Sequence, residues 1–449
     1  PEEVITEIDR ASGEKVTVAV TDIDGVLRGK SLHKEKFLTA LRSGFGFCNV
    51  IFGWDCADVC YDNGSYTGWH SGYPDAHASI DVSTFRRVPW DGDTPFFLAD
   101  FTDAAGEPLA VCPRQLLRRV IAEAAAMGFT ASVGVEYEWF NFRETPQSVA
   151  EKRFTGLAPI APGMFGYSLL RAGQHGPYLN ALFEELRRFG VPLEGLHTET
   201  GPGVFEVAML HADALEAADR GVLFKTAVKE IAYRFGIMPS FMAKWDDKLP
   251  GSGGHLHQSL WDDTGVNLFH DADHPHKMSS LLQQYLAGQM HCLPEILPMF
   301  APNVNSYKRL VEGAWAPNKV TWGADNRTTA LRVIPGSAKS TRLETRVGGA
   351  DINAYLAVAA VLASGLFGIR HALKLTQRPV EGSAYHHGDA PRLPGNLADA
   401  TARMARSEVA RELFGSAFVE HFVRSREWEW RQFERAVTSW ELQRYFEII

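Results

Sequence analysis

The chain reads as α+β, and three observations carry that reading. Strand-like runs and helical runs alternate without the regular βαβ rhythm, so an antiparallel or mixed sheet with helices set outside it is expected rather than a parallel array. At 449 residues the chain exceeds the usual size of one core, which makes two domains the expectation. A helical run opening on Pro113 and stopping before Gly128 marks a boundary near residues 110–113, giving domains at 1–110 and 111–449.

Within the first domain, VTVAVTD (16–22) and VLRGKSL (26–32) are rich in β-branched residues around Asp-Gly chemistry and read as a hairpin. A helix is expected at 34–43, ended by Gly44, then aromatic and glycine-rich loops from 45 to 95, with strands returning at 96–112. Beyond the boundary, strands are expected at 130–142, 192–198, 203–210, 238–245, 254–261 and 329–346. Helices are expected at 176–189, 211–236, 276–290 and 353–371, and further helical patterns fill 398–447. No internal repeat or low-complexity tract stands out.

Composition narrows the function. Hydrophobic content of 45% and charged content of 22% fit a soluble globular protein. A net charge of −9 argues against nucleic acid as partner, since that affinity rests on a cationic surface. Five cysteines without a CxxC pair fit neither a disulfide framework nor a thiolate zinc site, and a reducing cytoplasm is the expected home. No apolar run reaches membrane-spanning length, so no membrane partner is expected.

The chemistry concentrates in four motifs. In VGVEYEWFNF, period-two geometry puts Glu136 and Glu138 on one face of a strand; the same alternation also fits a half-exposed strand with a polar face. In HTETGPGVFEVAM, a glycine turn folds Glu199 and Glu206 back toward each other. In GSGGHLHQSL, His255, His257 and Ser259 share a face. Between 302 and 346, Arg309, Arg327, Arg332, Arg342 and Arg346 surround Glu344, with Trp315 in the same segment. Guanidinium forks match phosphate and carboxylate oxygens, although surface ion pairs also produce such clusters. Carboxylates with an imidazole suit Mg²⁺ or Mn²⁺, and Glu136, Glu138, Glu199, Glu206, His255 and Glu344 are enough for two ions. Metals plus guanidiniums are the equipment of phosphoryl transfer from a nucleotide such as ATP.

These motifs, with NSYKRL, NRT, RLETR and NAYLAVAAVLASGL in order along 22–371, resemble the glutamine synthetase family. The resemblance implies an N-terminal β-grasp domain and a catalytic domain whose curved antiparallel sheet is flanked by helices. It also implies a homo-oligomer, commonly a dodecamer of two hexamer rings, with sites shared between neighbours. Carried over residue by residue, it places Glu138, Glu199 and Glu206 around the metal nearer the glutamate and amine sites, and Glu136, His255 and Glu344 around the metal at the nucleotide phosphates. His257, Ser259, Arg332 and Arg342 fall at ATP-contacting positions. Arg309, Arg346 and Gly251 fall at L-glutamate-contacting positions, and Arg327 falls where the transferring phosphoryl group is steadied.

One departure stands out. Where ammonia-using members carry a glutamate two residues before a proline, EGAWAP has Trp315, whose only polar group is a donor. The expected activity is therefore ligation of glutamate to an amine larger than ammonia: a polyamine, alkylamine, ethanolamine or arylamine. An alkylamine cation suits cation–π attraction to Trp315 with Glu312, Asp55, Asp58 or Asp62 taking its proton, whereas an arylamine stacks on the ring. The aromatic stretch Phe52, Trp54, Tyr61, Tyr66 and Trp69 fits either a pocket wall or interface packing. An ammonia-dependent glutamine synthetase and a non-catalytic structural relative remain the alternatives.

Overall fold

The computed structural model describes residues 2–10, 13–313, 315–386 and 390–449. Five strands form the first sheet: β1 (Lys15–Thr21), β2 (Leu27–His33), β3 (Phe45–Cys48), β4 (Asp75–Val88) and β5 (Thr94–Thr102). Their order is β2-β1-β5-β4-β3, antiparallel except for the β1–β5 pair. Asp22 forms the β1–β2 turn, its Oδ1 accepting from the N–H groups of Asp24 and Val26 while Gly25 takes φ +81°. The helix Lys34–Ser43 buries Phe37 and Ala40 in the same core as Val18, Phe97 and Phe101, the arrangement expected of a β-grasp unit. The region 45–95, expected to be loops, contains β3 and the fourteen-residue β4. Polar residues on one face of β4 and a register shift between Asp81 and Arg86 obscure its alternation.

The second sheet comprises β6 (Thr130–Phe142), β7 (Leu193–Thr198), β8 (Val204–Met209), β9 (Ala212–Asp213), β10 (Met238–Ser240), β11 (Gly254–Trp261), β12 (Trp322–Ala324), β13 (Leu331–Ile334) and β14 (Arg342–Thr345). The path runs β12-β13-β14-β11-β6-β8-β7, antiparallel except for β12–β13, with β9 and β10 also pairing with β6. Along β6, Val133, Val135, Tyr137 and Trp139 are buried against helices, while Ser132, Gly134, Glu136 and Glu138 line the other face. Each such buried side chain stabilises the sheet by about 2 kcal/mol, which fixes which face carries the acids, because a one-residue slip would exchange the two faces.

Helices Pro113–Ala126, Ala214–Tyr233, Ser280–Cys292 and Ala354–Arg370 cover the apolar face. Ala354–Arg370 is apolar all round and buried over nearly its whole length, as an interior helix must be. It meets Ser280–Cys292 so closely that a Cβ on Gly368 would sit 2.1 Å from the Gln284 carbonyl oxygen. Its cap, Asn353, accepts from Tyr355 N–H (3.0 Å) and donates to the carbonyls of Asp22 (3.3 Å) and Ile23 (3.2 Å), tying the first sheet to the second layer. Among the described residues, no helix is long and apolar enough to cross a membrane.

Candidate active site

Strand register gathers the polar residues. Glu136 lies opposite His255 on β11, and His257 lies opposite Glu344 on β14. Glu344 also faces Arg332 on β13. On the other side of β6, Glu138 faces Glu206 on β8, which in turn faces His197 on β7. Cross-strand neighbours in antiparallel pairs stand about 4.5–5.5 Å apart at Cβ, so six strands bring residues more than 200 positions apart into one site.

Two cavities share Glu136 as a wall. One, of about 300 Å³, is lined by His257, Ser259, Arg342, Glu194 and Trp261. The other, of about 570 Å³, holds Glu138, Glu199, Glu206, His255 and Glu344, together with Gly251, Arg309, Arg327, Arg332, Arg346 and Trp315. Arg332, grouped by resemblance with the nucleotide residues, opens into this larger cavity. Gly251 has to be glycine, because a Cβ there would lie 2.4 Å from the Ala243 carbonyl oxygen and 2.8 Å from Arg309 Cγ.

Glu344 accepts from Arg332 (2.8 Å) and from Arg346. Burial pushes its carboxyl up, but His257, Arg346 and His255 outweigh that and hold it at about 2. Glu136 lies 2.9 Å from His257 Nε2 and 3.5 Å from His255 Nδ1, and despite burial these imidazoles hold its carboxyl well below the usual range. Arg309 donates to the carbonyls of Val347 (3.0 Å) and Arg346 (3.3 Å), and Arg346 Nε donates to the Arg327 carbonyl (3.1 Å), which anchors the Arg309 and Arg346 forks to the backbone.

Among the described residues, two groups of ligand atoms could hold metal ions: Glu136, His255 and Glu344, and His197, Glu199 and Glu206, each within 4.8 Å. The donor chemistry fits a divalent cation. Among the described residues His255 Nε2 is buried without a hydrogen-bond partner, so a ligand atom is free. Burial pushes the Glu138 and Glu206 carboxyls up, with Glu138 and Glu136 adding to the effect on Glu206, and a bound cation would favour their charged forms. Glu138 Oε2 meanwhile accepts from Gly253 N–H (2.8 Å).

His197 went unnoticed in the sequence. It lies 3.8 Å from Glu199 and 3.6 Å from Glu206, and those contacts raise its pKa to about 8, the hydrogen bond with Glu206 foremost. The spacing His197-x-Glu199 and the hairpin register could have revealed it. Tyr167, also missed, lies tilted against His197 with ring centres 4.5 Å apart.

Other expected residues lie elsewhere in the chain. Asp55 accepts from Trp428 Nε1 (2.8 Å), Asp58 pairs with Arg28 (2.9 Å) and Asp62 pairs with Arg431 (2.5 Å); none lines the larger cavity of its own chain. Glu312 is exposed on the Trp315 segment. Phe52, Tyr61 and Tyr66 pack internally against Phe101, Trp428 and His421, Arg28 covers the Trp54 ring, and Trp69 is exposed beside Tyr73.

Carboxylate clusters one strand away from converging guanidiniums suit the transfer of a phosphoryl group from a nucleotide. The chain belongs to the glutamine synthetase family: residues 110–445 match the model of the glutamine synthetase catalytic domain. It is 51% identical to type-1 glutamine synthetase 2 of Dictyostelium discoideum, over 99% of this chain and 86% of that one. It is 37% identical to glutamate–isopropylamine ligase of Pseudomonas sp, over 98% and 97% of the two chains. It is also 37% identical to the gamma-glutamylethanolamide synthetase GlnA4 of Streptomyces coelicolor, over 97% and 93%. The GmaS/ADP complex superposes with a TM-score of 0.86 at 28% identity, covering 99% of each chain.

Proposed function

We propose that the protein joins the γ-carboxylate of L-glutamate to an amine larger than ammonia through a γ-glutamyl phosphate. The observation that carries this reading is Trp315, an indole lining the same cavity as Arg309, Arg327 and Arg346. ATP phosphorylates the γ-carboxylate, the amine nitrogen attacks the acyl carbon, and phosphate leaves. Arg309 and Arg346 hold glutamate beside Gly251, and Arg327 meets the charge that develops on the phosphoryl oxygens. His257, Ser259 and Arg342 bind the nucleotide in the smaller cavity, with Arg332 reaching from the larger one. Glu136, His255 and Glu344 would hold one Mg²⁺ or Mn²⁺ ion, and Glu138, Glu199 and Glu206, joined by His197, another; such ions, when bound, neutralise phosphate charge.

Within one chain Asp55, Asp58 and Asp62 are engaged by Trp428, Arg28 and Arg431, which leaves Glu312, exposed on the Trp315 segment, as the candidate to accept the amine's proton. The names of the isopropylamine and ethanolamide relatives support a substituted amine. The 51% identity to a glutamine synthetase favours ammonia as the second reading. We place the enzyme in the cytoplasm as a homo-oligomer, a dodecamer in the family's manner, with its domains divided at 110/111.

Glutamate- and ATP-dependent phosphate release, measured with ammonia, putrescine, ethanolamine, isopropylamine and aniline, tests the reading. One of the larger amines should give the highest kcat/KM. Ammonia as the best substrate would replace the proposal with the second reading.

A further inference from the structure

Arg327 differs from the other arginines of the larger cavity. Arg309, Arg332 and Arg346 are buried, and each donates to a carbonyl or a carboxylate. Arg327 lines the same cavity but is exposed, and among the described residues its guanidinium makes no hydrogen bond or ion pair. Its fork is therefore open to an anion, yet no partner fixes where the fork stands. That falls to the turn that carries it.

The turn, residues 325–329, is held through Asn326. Asn326 Nδ2 donates to the carbonyls of Val380 (3.0 Å) and Gly382 (2.8 Å), while its Oδ1 accepts from Thr328 N–H (3.0 Å) and from the Thr328 hydroxyl (2.7 Å). Thr328 Oγ1 in turn accepts from Ala384 N–H (2.9 Å), so both neighbours of Arg327 fasten onto segment 380–384. An Asn that only closed a turn would need its oxygen alone; here the amide nitrogen also reaches carbonyls 54 and 56 positions along the chain. The segment is fixed in its own right, since Val380 N–H donates to the Trp322 carbonyl on β12 (2.8 Å). Gly323 on the same strand leaves room for the approach: a Cβ there would lie 2.9 Å from Asn326 Cβ and 3.0 Å from the Val380 carbonyl oxygen. On the turn's other side, Asp325 accepts from Arg332 Nε (3.1 Å) and the Arg327 carbonyl accepts from Arg346 Nε (3.1 Å).

We infer that Asn326 is a positioning residue for phosphoryl transfer: by tying the Arg327 turn to segment 380–384, it sets where the Arg327 fork stands in the larger cavity. The inference rests on the ligase reading above, in which Arg327 meets charge on the transferring phosphoryl oxygens. That charge develops only as the group moves, so a displaced fork slows the reaction without weakening the binding of glutamate or ATP.

Asn326→Ala removes the tether. The kcat for phosphate release should fall on the order of 100-fold, the effect of about 1 Å of misplacement, with the KM values for ATP and glutamate within about twofold of wild type. Thr328→Val, which loses the link to Ala384, should lower kcat in the same manner, and Thr328→Ser, which keeps the hydroxyl, should restore it. This pair carries the test if Asn326→Ala folds poorly. Because Asn326 acts through Arg327, adding Asn326→Ala to Arg327→Met should change kcat by less than about twofold, whereas a general structural role would multiply the two losses. An unchanged kcat in both Asn326→Ala and Thr328→Val overturns the inference, as does a rise in KM as large as the fall in kcat, or multiplied losses in the double variant. Wild-type protein that releases no phosphate with any amine overturns the ligase reading together with this inference. An active wild type matched by Asn326→Ala overturns the inference alone.

Discussion

Arg332 on β13 donates to Glu344 on β14 across 2.8 Å, and Arg346 occupies the other oxygen of the same carboxylate. Glu344 thus joins the guanidinium cluster to the acidic one, since it also lies 3.6 Å from His255. Its side chain is almost wholly buried, so removing it leaves two cations without their shared partner. Glu344→Ala should abolish phosphate release and also lower stability by about 3–5 kcal/mol, the usual consequence of breaking a buried ion pair from one side. Denaturant unfolding beside a phosphate assay separates the two effects, and near-normal turnover would remove Glu344 from the chemistry.

Trp315 is 60% exposed, so replacing it disturbs little packing. Trp315→Glu should leave stability within about 0.5 kcal/mol of wild type. It should raise kcat/KM for ammonia and depress that for the larger amine, because a carboxylate can take a proton from ammonium and an indole cannot. A preference ratio that does not move would mean that other walls of the pocket choose the amine.

How far the site could be read from the sequence differs residue by residue. Glu136, Glu138, His255 and His257 were legible because period-two spacing states which residues share a face, and the folded strands keep that spacing. Pairings across the sheet, such as Glu138 with Glu206, depend on register that no local pattern encodes. His197 stayed hidden for that reason, since its role emerges only when β7 pairs with β8. β4 was missed because its alternating residues are Asp, His and Ser on one face, which read as loop, and because the shift after Asp81 breaks the period. Asp55, Asp58 and Asp62 drew attention by their acidity, and within the chain Trp428 from the helix Ser416–Arg435, Arg28 and Arg431 hold them.

Arg114 binds three carboxylates at once: Asp219 through Nε (2.8 Å), Asp100 through one terminal nitrogen (2.8 Å) and Asp81 through the other (2.9 Å). Asp81 and Asp100 belong to the first sheet and Asp219 to a helix of the second layer, so this fork fastens the two layers together. Arg114→Met keeps most of the side-chain volume but leaves the acids facing one another with only Arg118 to share between Asp81 and Asp100. Stability should fall by about 3–5 kcal/mol. Adding Asp219→Asn to Arg114→Met should recover part of that loss, and a double variant no better than the single one would show that the fork is not the source of the effect.

His421 gives acid sensitivity a specific origin. It is buried against the rings of Phe52 and Tyr66, its Nε2 has no partner among the described residues, and burial reinforced by the Arg426 charge pushes its pKa down to about 4. The unfolded chain titrates near 6.5, so between those values it binds a proton that the folded protein refuses. The stability attached to neutral His421 is therefore fully present above about pH 6.5 and is lost as pH falls toward 4, reaching on the order of 3 kcal/mol. Carboxylates such as Glu344, held at about 2, add their own loss only at lower pH. His421→Leu should flatten the decline in Tm between pH 6.5 and 4.5 relative to wild type, even if its stability at pH 7 is lower. Parallel Tm profiles for the two proteins across that window would assign the acid limb to other groups.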